Sequence, residues 1–447
     1  MAGMAACKNK TGLFKTFFLG GFECSTHRLR SGKRLDLVHS TRHDQFAMSD
    51  YRQLQERGIY TVREGLRWHL IEQNPGVYDF SSAEPIIKAA RETGTEVIWD
   101  FWHYGWPDDI DIFSPEFVTR FTSFALAATE VLATNFEMLF ICPVNEISFF
   151  SWAGGEAGIF NPFAKNRGNE IKCQLVQASL AAIHAMRQVS RNIQICHIDP
   201  MINVIAEKPG PENTAAAQAY HQSQFDAGNM LTGRTAPELG GHEECIDVVG
   251  VNYYIHNQWT YPAHVGSMLV PSDARYRHVR DLLAENYAHY QRPIFVAETG
   301  IEDETRPAWM RYICNEVYAA IAAGVPIEGI CLYPILNHPG WDDDRHCYNG
   351  LFDYANDDGN REVHVRLARE LARQQELANA VRVDKAKFVD RRETDVSALD
   401  WGAHVMEVRT DESRATRTAS RTRSATSRSL PDRSTRARRR DADSSNR

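Results

Sequence analysis

Short apolar segments and longer amphipathic segments alternate eight times along the chain, and this alternation restricts the fold more than any other feature. The apolar segments are rich in β-branched residues, as is typical of parallel strands that are covered on both faces. Strict βα alternation favours a parallel sheet, and eight repeats favour a closed barrel over an open, doubly wound sheet. We therefore predict an α/β protein built as a single (β/α)8 TIM barrel.

The predicted strands share length and apolar character; they are Phe17–Cys24, Thr61–Leu66, Glu96–Trp102, Met138–Val144, Ile193–Ile198, Asp247–Tyr254, Pro293–Ala297 and Gly329–Ile335. Predicted helices alternate with them: Ser49–Arg57, Ser82–Thr93, a helix opened by Ser114-Pro115-Glu116, Glu170–Val189, Glu212–Leu231, Arg275–Tyr290, Pro307–Ala323 and Glu362–Ala378. Gly58 and Gly94 follow the first two helices as expected C-caps. Ser114 is the expected N-cap of the third helix.

The sequence predicts two regions, a barrel domain over residues 14–380 and a low-complexity segment over residues 381–447. From Trp401 to Arg447 there are 12 Arg and 6 acidic residues, so this part carries +6 and the first 400 residues carry −14. An Arg/Ser/Thr-rich segment with few large apolar residues cannot bury a core, so we predict a disordered tail. It is either dispensable or a contact for anionic polymers, while the acidic body does not favour nucleic-acid binding.

Other sequence features exclude several classes of protein. The first ten residues lack the apolar core of a signal peptide, and no stretch of 18 apolar residues predicts a membrane span. The nine cysteines include no Cys-x-x-Cys pair and are odd in number, which favours reduced thiols and a cytoplasmic location. No His-Glu-x-x-His motif is present, and we expect neither a metal nor an organic cofactor. The oligomeric state is left open.

Two predicted strands end on a glutamate, Glu146 and Glu298. An unpaired buried charge is costly, so two such endings indicate two carboxyl groups that face one cleft, as in glycoside hydrolases. In a barrel of this type the active site lies at the carboxyl ends of the strands. The remaining strand ends are rich in Trp, Tyr, Asn, His and Asp, which suit an uncharged, ring-shaped, polar ligand: a small-molecule or oligosaccharide glycoside.

The order of these motifs resembles family 1 glycoside hydrolases, the β-glucosidase family, and the wider clan of retaining (β/α)8 glycosidases. The similarity spans residues 14–378. Five motifs carry it: Asn145-Glu146, Glu298-Thr299-Gly300, Asn252-Tyr253-Tyr254, Arg63 five residues before Trp68, and His103. The resemblance implies that Glu298 is the nucleophile and Glu146 the acid/base catalyst. It further implies that the substrate is bound by Arg63, His103, Asn145, Asn252, Tyr254, Trp341 and Asp342.

The chain differs from the family in the loops that hold the sugar. The family has a Gln after strand one, where this chain reads Ser25-Thr26-His27-Arg28, and a Glu after strand eight, where Gly340 stands. Thr299 replaces an Asn, and Tyr333 replaces the usual Trp of strand eight. Either Asp342 or Asp343 could supply the missing carboxylate.

The expected activity is retaining hydrolysis of small β-glycosides in carbohydrate metabolism. Arg63 and Tyr254 are expected to favour the ionised form of Glu298, and an apolar setting next to a negative charge is expected to keep Glu146 protonated. Two alternatives remain: a carbohydrate-binding barrel with impaired turnover, or an endo-acting or transglycosylating enzyme of the same clan. A metal-dependent barrel hydrolase is the least favoured class.

Overall fold

The computed structural model describes residues 12–262, 267–341 and 344–384, and within them eight parallel strands close into a barrel. In chain order the strands are β1 Phe18–Gly21, β2 Thr61–Gly65, β3 Glu96–Asp100, β4 Leu139–Cys142, β5 Ile193–Pro200, β6 Val248–Asn252, β7 Ile294–Thr299 and β8 Ile327–Leu332. Each strand pairs with its neighbours in the sequence of strands, and β8 pairs with β1. The predicted α/β fold class and the eight strands are confirmed.

One long helix follows each strand and covers the outside of the barrel. The helices are α1 His43–Gln55, α2 Glu84–Thr93, α3 Pro115–Asn135, α4 Gly168–Val189, α5 Pro211–Gln222, α6 Val279–Tyr290, α7 Arg306–Ala322 and α8 Val365–Val383. Shorter helices lie in the loops, including Leu37–Ser40, Trp68–Ile71, Ile147–Phe150 and Asp226–Leu231, and a π-helix spans Ser151–Glu156. Among the described residues, none of the helices has both the length and the apolar content to cross a membrane.

Most predicted helices have ends within five residues of the observed ones, and two helices differ more. Helix α1 begins at His43, six residues before the predicted start, because the polar residues His43 and Asp50 of this segment are buried rather than exposed. The predicted helix Glu212–Leu231 is broken, since a 3₁₀ turn at Ser223–Phe225 separates α5 from the short helix Asp226–Leu231.

The predicted caps are partly correct. Gly94 ends α2 in the left-handed conformation, with φ of 70°, as a C-cap glycine does. Ser114 precedes α3 with an extended backbone, but its hydroxyl donates to the carbonyl of Asp111 at 2.7 Å instead of capping the helix.

The interior of the barrel is filled by apolar side chains: Phe14, Leu19, Ile98, Phe140, Cys142, Cys196, Ile198, Val248, Phe295, Ala297, Cys331 and Tyr333. Phe14 lies before β1 and packs against Phe140 and Phe295, with ring centroids 5.1 and 5.2 Å apart. The aromatic ring of Phe14 closes the amino end of the barrel. Polar side chains are therefore left to the opposite end, where the strands finish.

The division of the chain into a barrel domain over residues 14–380 and a low-complexity segment over residues 381–447 stays a prediction. Helix α8 continues to Val383, three residues past the predicted end of the barrel domain. Residues 385–447, which make up most of the predicted tail, and Asp342 with Asp343 lie outside the described residues.

Candidate active site

Side chains from four strands converge at the carboxyl end of the barrel. Arg63 lies in β2, Glu146 follows β4, Asn252 ends β6 and Glu298 lies in β7. In the β6–β7 register Asn252 is the partner of Glu298, after an irregularity between Val251 and Asn252. Such irregularities re-aim side chains in a sheet, and here Asn252 reaches Glu146.

Glu298 is held by two donors, one on each carboxylate oxygen. Arg63 donates from Nη1 to Oε1 at 2.7 Å, and the Tyr254 hydroxyl donates to Oε2 at 2.9 Å. Burial raises the pKa of Glu298, and the guanidinium of Arg63 opposes that rise. Because both partners donate, they stabilise the ionised carboxylate over the neutral acid.

Arg63 organises the centre of this arrangement. The side chain is fully buried and binds Asp100 in a fork, Nε to Oδ1 at 3.0 Å and Nη2 to Oδ2 at 2.7 Å. Its Nη2 also donates to Oδ1 of Asn145 at 2.6 Å. The Tyr333 ring packs against the guanidinium, 5.3 Å from centroid to Cζ. A planar guanidinium can make these contacts at the same time, which an ammonium cannot.

Glu146 has a different environment from Glu298. Its backbone is left-handed, with φ of 51° and ψ of 57°. Non-glycine residues rarely adopt this conformation, and it often marks functional sites. Tyr104 donates from its hydroxyl to Oε2, and Asn252 donates from Nδ2 to Oε1 at 2.8 Å. Burial and the negative charge of Glu298 raise the pKa of Glu146 to about 8.

The difference between the two carboxyl groups follows from their partners. Glu298 contacts a cation, whereas the donors that reach Glu146 from the described part of the chain are neutral. The guanidinium therefore favours the negative charge on Glu298, and burial beside that charge favours the protonated form of Glu146. Two titratable groups whose surroundings separate their pKa values are the arrangement that acid and base roles require.

Asn145 and His103 form the adjoining part of the site. The amide of Asn145 is oriented by Arg63, and its Nδ2 lies 3.2 Å from Nε2 of His103 and 3.3 Å from the Tyr104 hydroxyl. Nδ1 of His103 lies 3.0 Å from Oδ2 of Asp100. The contacts thus run without a break from Glu298 through Arg63, Asn145 and Tyr104 to Glu146.

Asp199, at the end of β5, fixes the turn that carries Glu146. Its carboxylate accepts from the Ser148 amide at 3.0 Å and from the Ser148 hydroxyl at 2.6 Å. The Glu146 amide donates to the carbonyl of Ile198 at 3.0 Å. Burial raises the pKa of Asp199 to about 7. These bonds attach residues 146–148 to β5 and so hold Glu146 in its unusual conformation.

Aromatic rings form one side of the site. Trp341 packs 5.1 Å from His27, 5.2 Å from Phe160 and 6.3 Å from Tyr104, measured between ring centroids. His27 and Phe160 are stacked at 4.4 Å. Flat apolar faces of this kind suit the carbon face of a sugar ring.

The structure brings together six of the predicted substrate-binding residues near the two glutamates, either directly or through the aromatic group: Arg63, His103, Asn145, Asn252, Tyr254 and Trp341. Asp342 lies outside the described residues. Sequence reasoning missed Tyr104 and the positioning role of Asp199. Tyr104 could have been found, since it directly follows His103 at a strand end.

One group in the described residues has metal-ligand geometry: the ligand atoms of Cys24, Asp100 and His103 lie within 4.8 Å of one another. The chemistry does not fit a metal. Both carboxylate oxygens of Asp100 bind Arg63, and burial raises the pKa of Cys24 to about 11, which keeps the thiol protonated. Metals bind the thiolate instead.

Comparisons with known proteins bear on the fold. No protein-family model and no curated protein matches the chain. A β-glucosidase from Thermotoga maritima in complex with glucoimidazole is similar in structure, with a TM-score of 0.67 and 16% identity over 82% of this chain and 98% of that one. A family 1 β-glucosidase from the same organism has a TM-score of 0.66 and 15% identity over 81% and 97%.

A further similar structure is a hyperthermophilic β-glucosidase mutant that forms a dodecamer in the crystal, with a TM-score of 0.65 and 15% identity over 80% of this chain and 99% of that one. The similarity covers 97–99% of each of these β-glucosidases and 80–82% of this chain. This chain therefore has the fold of the family 1 β-glucosidases.

Proposed function

We propose that this chain, which has the fold of the family 1 β-glucosidases, is a retaining glycosidase that hydrolyses small β-glycosides. The observation that carries the proposal is the contrast between its two glutamates. Glu298 is bound by Arg63 and Tyr254, while Glu146 is buried beside it with a pKa raised to about 8. One carboxylate and one carboxylic acid in a single site are the reagents of double displacement.

In the first step the ionised carboxylate of Glu298 attacks the anomeric carbon as the glycosidic C–O bond breaks. Glu146 transfers its proton to the leaving oxygen, so the aglycone departs as a neutral alcohol and a glycosyl ester forms on Glu298. In the second step Glu146, now ionised, removes a proton from water. The resulting hydroxide attacks the anomeric carbon and releases Glu298 and the sugar.

The surrounding residues support these steps. Arg63 and Tyr254 hold the carboxylate of Glu298 in a fixed orientation, which avoids reorganisation during attack. Asn145 is oriented by Arg63 and can contact a sugar hydroxyl beside the reacting carbon. Trp341, with His27 and Phe160, provides the apolar surface for the ring or the aglycone. β-Glucosidases of similar structure bind glucoimidazole and deoxynojirimycin, which is consistent with a carbohydrate ligand for this chain.

The proposal is tested with a panel of nitrophenyl β-glycosides and a 2-fluoro glycoside. We expect turnover of at least one sugar, and a covalent adduct on the peptide that contains Glu298, detected by mass spectrometry. Glu298→Gln should abolish both the turnover and the covalent adduct. Glu146→Gln should reduce hydrolysis strongly for poor leaving groups and less for dinitrophenyl glycosides, since these depart without a proton.

The alternative of a carbohydrate-binding barrel is supported by the loops after β1 and β8, which lack the family's sugar-holding Gln and Glu. Saturable sugar binding without turnover of any glycoside would favour this alternative and contradict the glycosidase proposal.

A further inference from the structure

Glu23 is a buried carboxylate at the end of β1 that the steps described above do not use. It is 8% exposed, and its Oε1 accepts two hydrogen bonds from Ser25, from the amide at 2.9 Å and from the hydroxyl at 2.5 Å. Its Oε2 has no hydrogen-bond partner among the described residues. That oxygen is not one of the fully buried unbonded atoms of the described residues, so it is open to a water or a ligand that donates a hydrogen bond.

The location of Glu23 shows which ligand could do so. Its Oε1 lies 3.9 Å from Nε2 of His103, and its charge acts on Glu298 and on the hydroxyl groups of Tyr104 and Tyr254. His103 also lies beside Asn145, 3.2 Å from Nε2 of His103 to Nδ2 of Asn145, so Glu23 borders the candidate active site that contains Glu298.

The surroundings of Glu23 favour its ionised form. Burial alone would raise the pKa of Glu23, but the imidazoles of His103 and His338 and the two donors of Ser25 lower it below its ordinary value. Ser25 contributes only donors, and donors stabilise a carboxylate rather than a carboxylic acid. The site therefore contains a second acceptor-only group in addition to Glu298.

We propose that Glu23 is a sugar-binding residue, whose free carboxylate oxygen accepts a hydrogen bond from a ring hydroxyl of the sugar held against Glu298. This inference rests on the proposed function and extends it to the substrate class. An acceptor-only carboxylate bonds a hydroxyl group and repels a phosphate or carboxylate group at the same place, so the sugar carries a hydroxyl where it meets Glu23. The negative charges of Glu23 and Glu298 attract a basic iminosugar.

Glu23→Gln tests the contribution of Oε2 alone. Glutamine keeps an acceptor for both donors of Ser25 and replaces the free acceptor oxygen with an amide donor. Because a hydrogen bond to a charged group contributes about 1.5–3 kcal/mol, kcat/KM for the preferred glycoside should fall about 10- to 100-fold. The loss should largely disappear on the one monodeoxy glycoside that lacks the bonded hydroxyl, a pattern that a purely structural role would not produce.

Glu96→Gln is the matched control. Oε1 of Glu96 also accepts from a backbone amide, that of Lys15 at 2.8 Å, and from a hydroxyl, that of Thr61 at 3.0 Å. Glu96 begins β3 at the opposite end of the barrel, so its substitution should leave kcat/KM unchanged. The melting temperature of each variant is measured beside its kinetics.

Calorimetric binding of deoxynojirimycin, a basic iminosugar, provides a readout without turnover. We expect weaker binding by Glu23→Gln than by the native chain and by Glu96→Gln. Equal kinetics and equal iminosugar binding in the two variants would overturn the role of Glu23. An equal loss on every deoxy glycoside would also overturn it. If the native chain binds the iminosugar but turns over no glycoside, the glycosidase proposal fails, while weaker binding by Glu23→Gln still supports the role of Glu23.

Discussion

Tyr104 donates its hydroxyl proton to Oε2 of Glu146, and the two residues follow neighbouring strands of the barrel. This bond opposes the effects of burial and of the Glu298 charge, because a donor stabilises the ionised carboxylate. The pKa of Glu146 therefore depends on two neighbours, Glu298, which raises it, and Tyr104, which lowers it.

For the native chain we expect kcat/KM to fall as the pH rises through about 8, where Glu146 loses the proton that it must donate. The sign follows from its role, since the acid is active in its protonated form. The measurement is a pH profile of kcat/KM on an alkyl or other poor-leaving-group glycoside. A rate that stays constant up to pH 10 would contradict the assignment of Glu146 as the acid.

Tyr104→Phe should move this alkaline limb to higher pH by about one unit, because loss of a hydrogen bond to the charged form raises the pKa. Tyr318→Phe is the control, since the hydroxyl of Tyr318 is buried and donates to the carbonyl of Gln374, outside the site. If the limb moves downward in Tyr104→Phe, the donor role of Tyr104 is wrong.

Glu298→Gln should lower the pKa of Glu146, because it removes the nearest negative charge without changing the volume of the side chain. We expect this variant to be inactive, so the titration is followed by carbon-13 NMR of labelled glutamate, with Glu146→Gln used to assign the signal. An unchanged pKa would show that burial alone is responsible for the rise.

Arg63→Lys should reduce kcat/KM by about 10²- to 10³-fold, the usual effect of removing one preorganised charge contact. Lysine retains the charge but cannot bind Asp100, Glu298 and Asn145 together. Arg63→Met, which removes the cation that binds both carboxylate oxygens of buried Asp100, should lower the free energy of unfolding by about 3–5 kcal/mol.

Arg361→Lys is the control for this pair of variants. Arg361 is also buried and also binds a carboxylate in a fork, that of Asp50 at 2.6 and 2.9 Å, but none of its contacts involves the two glutamates. Arg361→Lys should lower the free energy of unfolding and leave kcat/KM unchanged. Equal losses of activity in Arg361→Lys and Arg63→Lys would show that Arg63 acts only through stability.

Asp199→Asn should reduce kcat about tenfold with little change in KM, because Ser148 loses one of the two acceptor oxygens of residue 199 and the turn that holds Glu146 loosens. The loss should be larger for alkyl than for dinitrophenyl glycosides, which need no proton. Asp247→Asn, which alters a carboxylate bound to the amide of Ile195 at the start of β5, is the control. A loss independent of the leaving group would contradict a role through Glu146.

The fold was largely predictable because most of the strands are mainly apolar segments and the helix boundaries carry local signals such as Gly94. The prediction of helix ends failed where polar residues are buried. His43 binds Asp50 and Glu64 at 2.7 and 2.9 Å, so the start of α1 is buried although its residues are polar. No local pattern indicates such a network, because its members come from different elements.

The site was predictable to the extent that its residues end apolar strands. Glu146 and Glu298 do so, and so does Asn252. Tyr104 and Asp199 gain their roles only from partners that are distant in sequence, 42 and 51 residues away. Glu23 also ends a strand, but its free oxygen is recognised only once both bonds from Ser25 are known.

Arg63 extends from β2 to contact Asp100 of β3, Asn145 after β4, and Ala297 and Glu298 of β7. These bonds cross the mouth of the barrel, so the strand ends cannot separate to admit a ligand without breaking several buried contacts at once. Access must therefore depend on movement of the loops alone. Hydrogen exchange should then show slow amides at these strand ends both with and without ligand, and ligand-dependent protection confined to the loops.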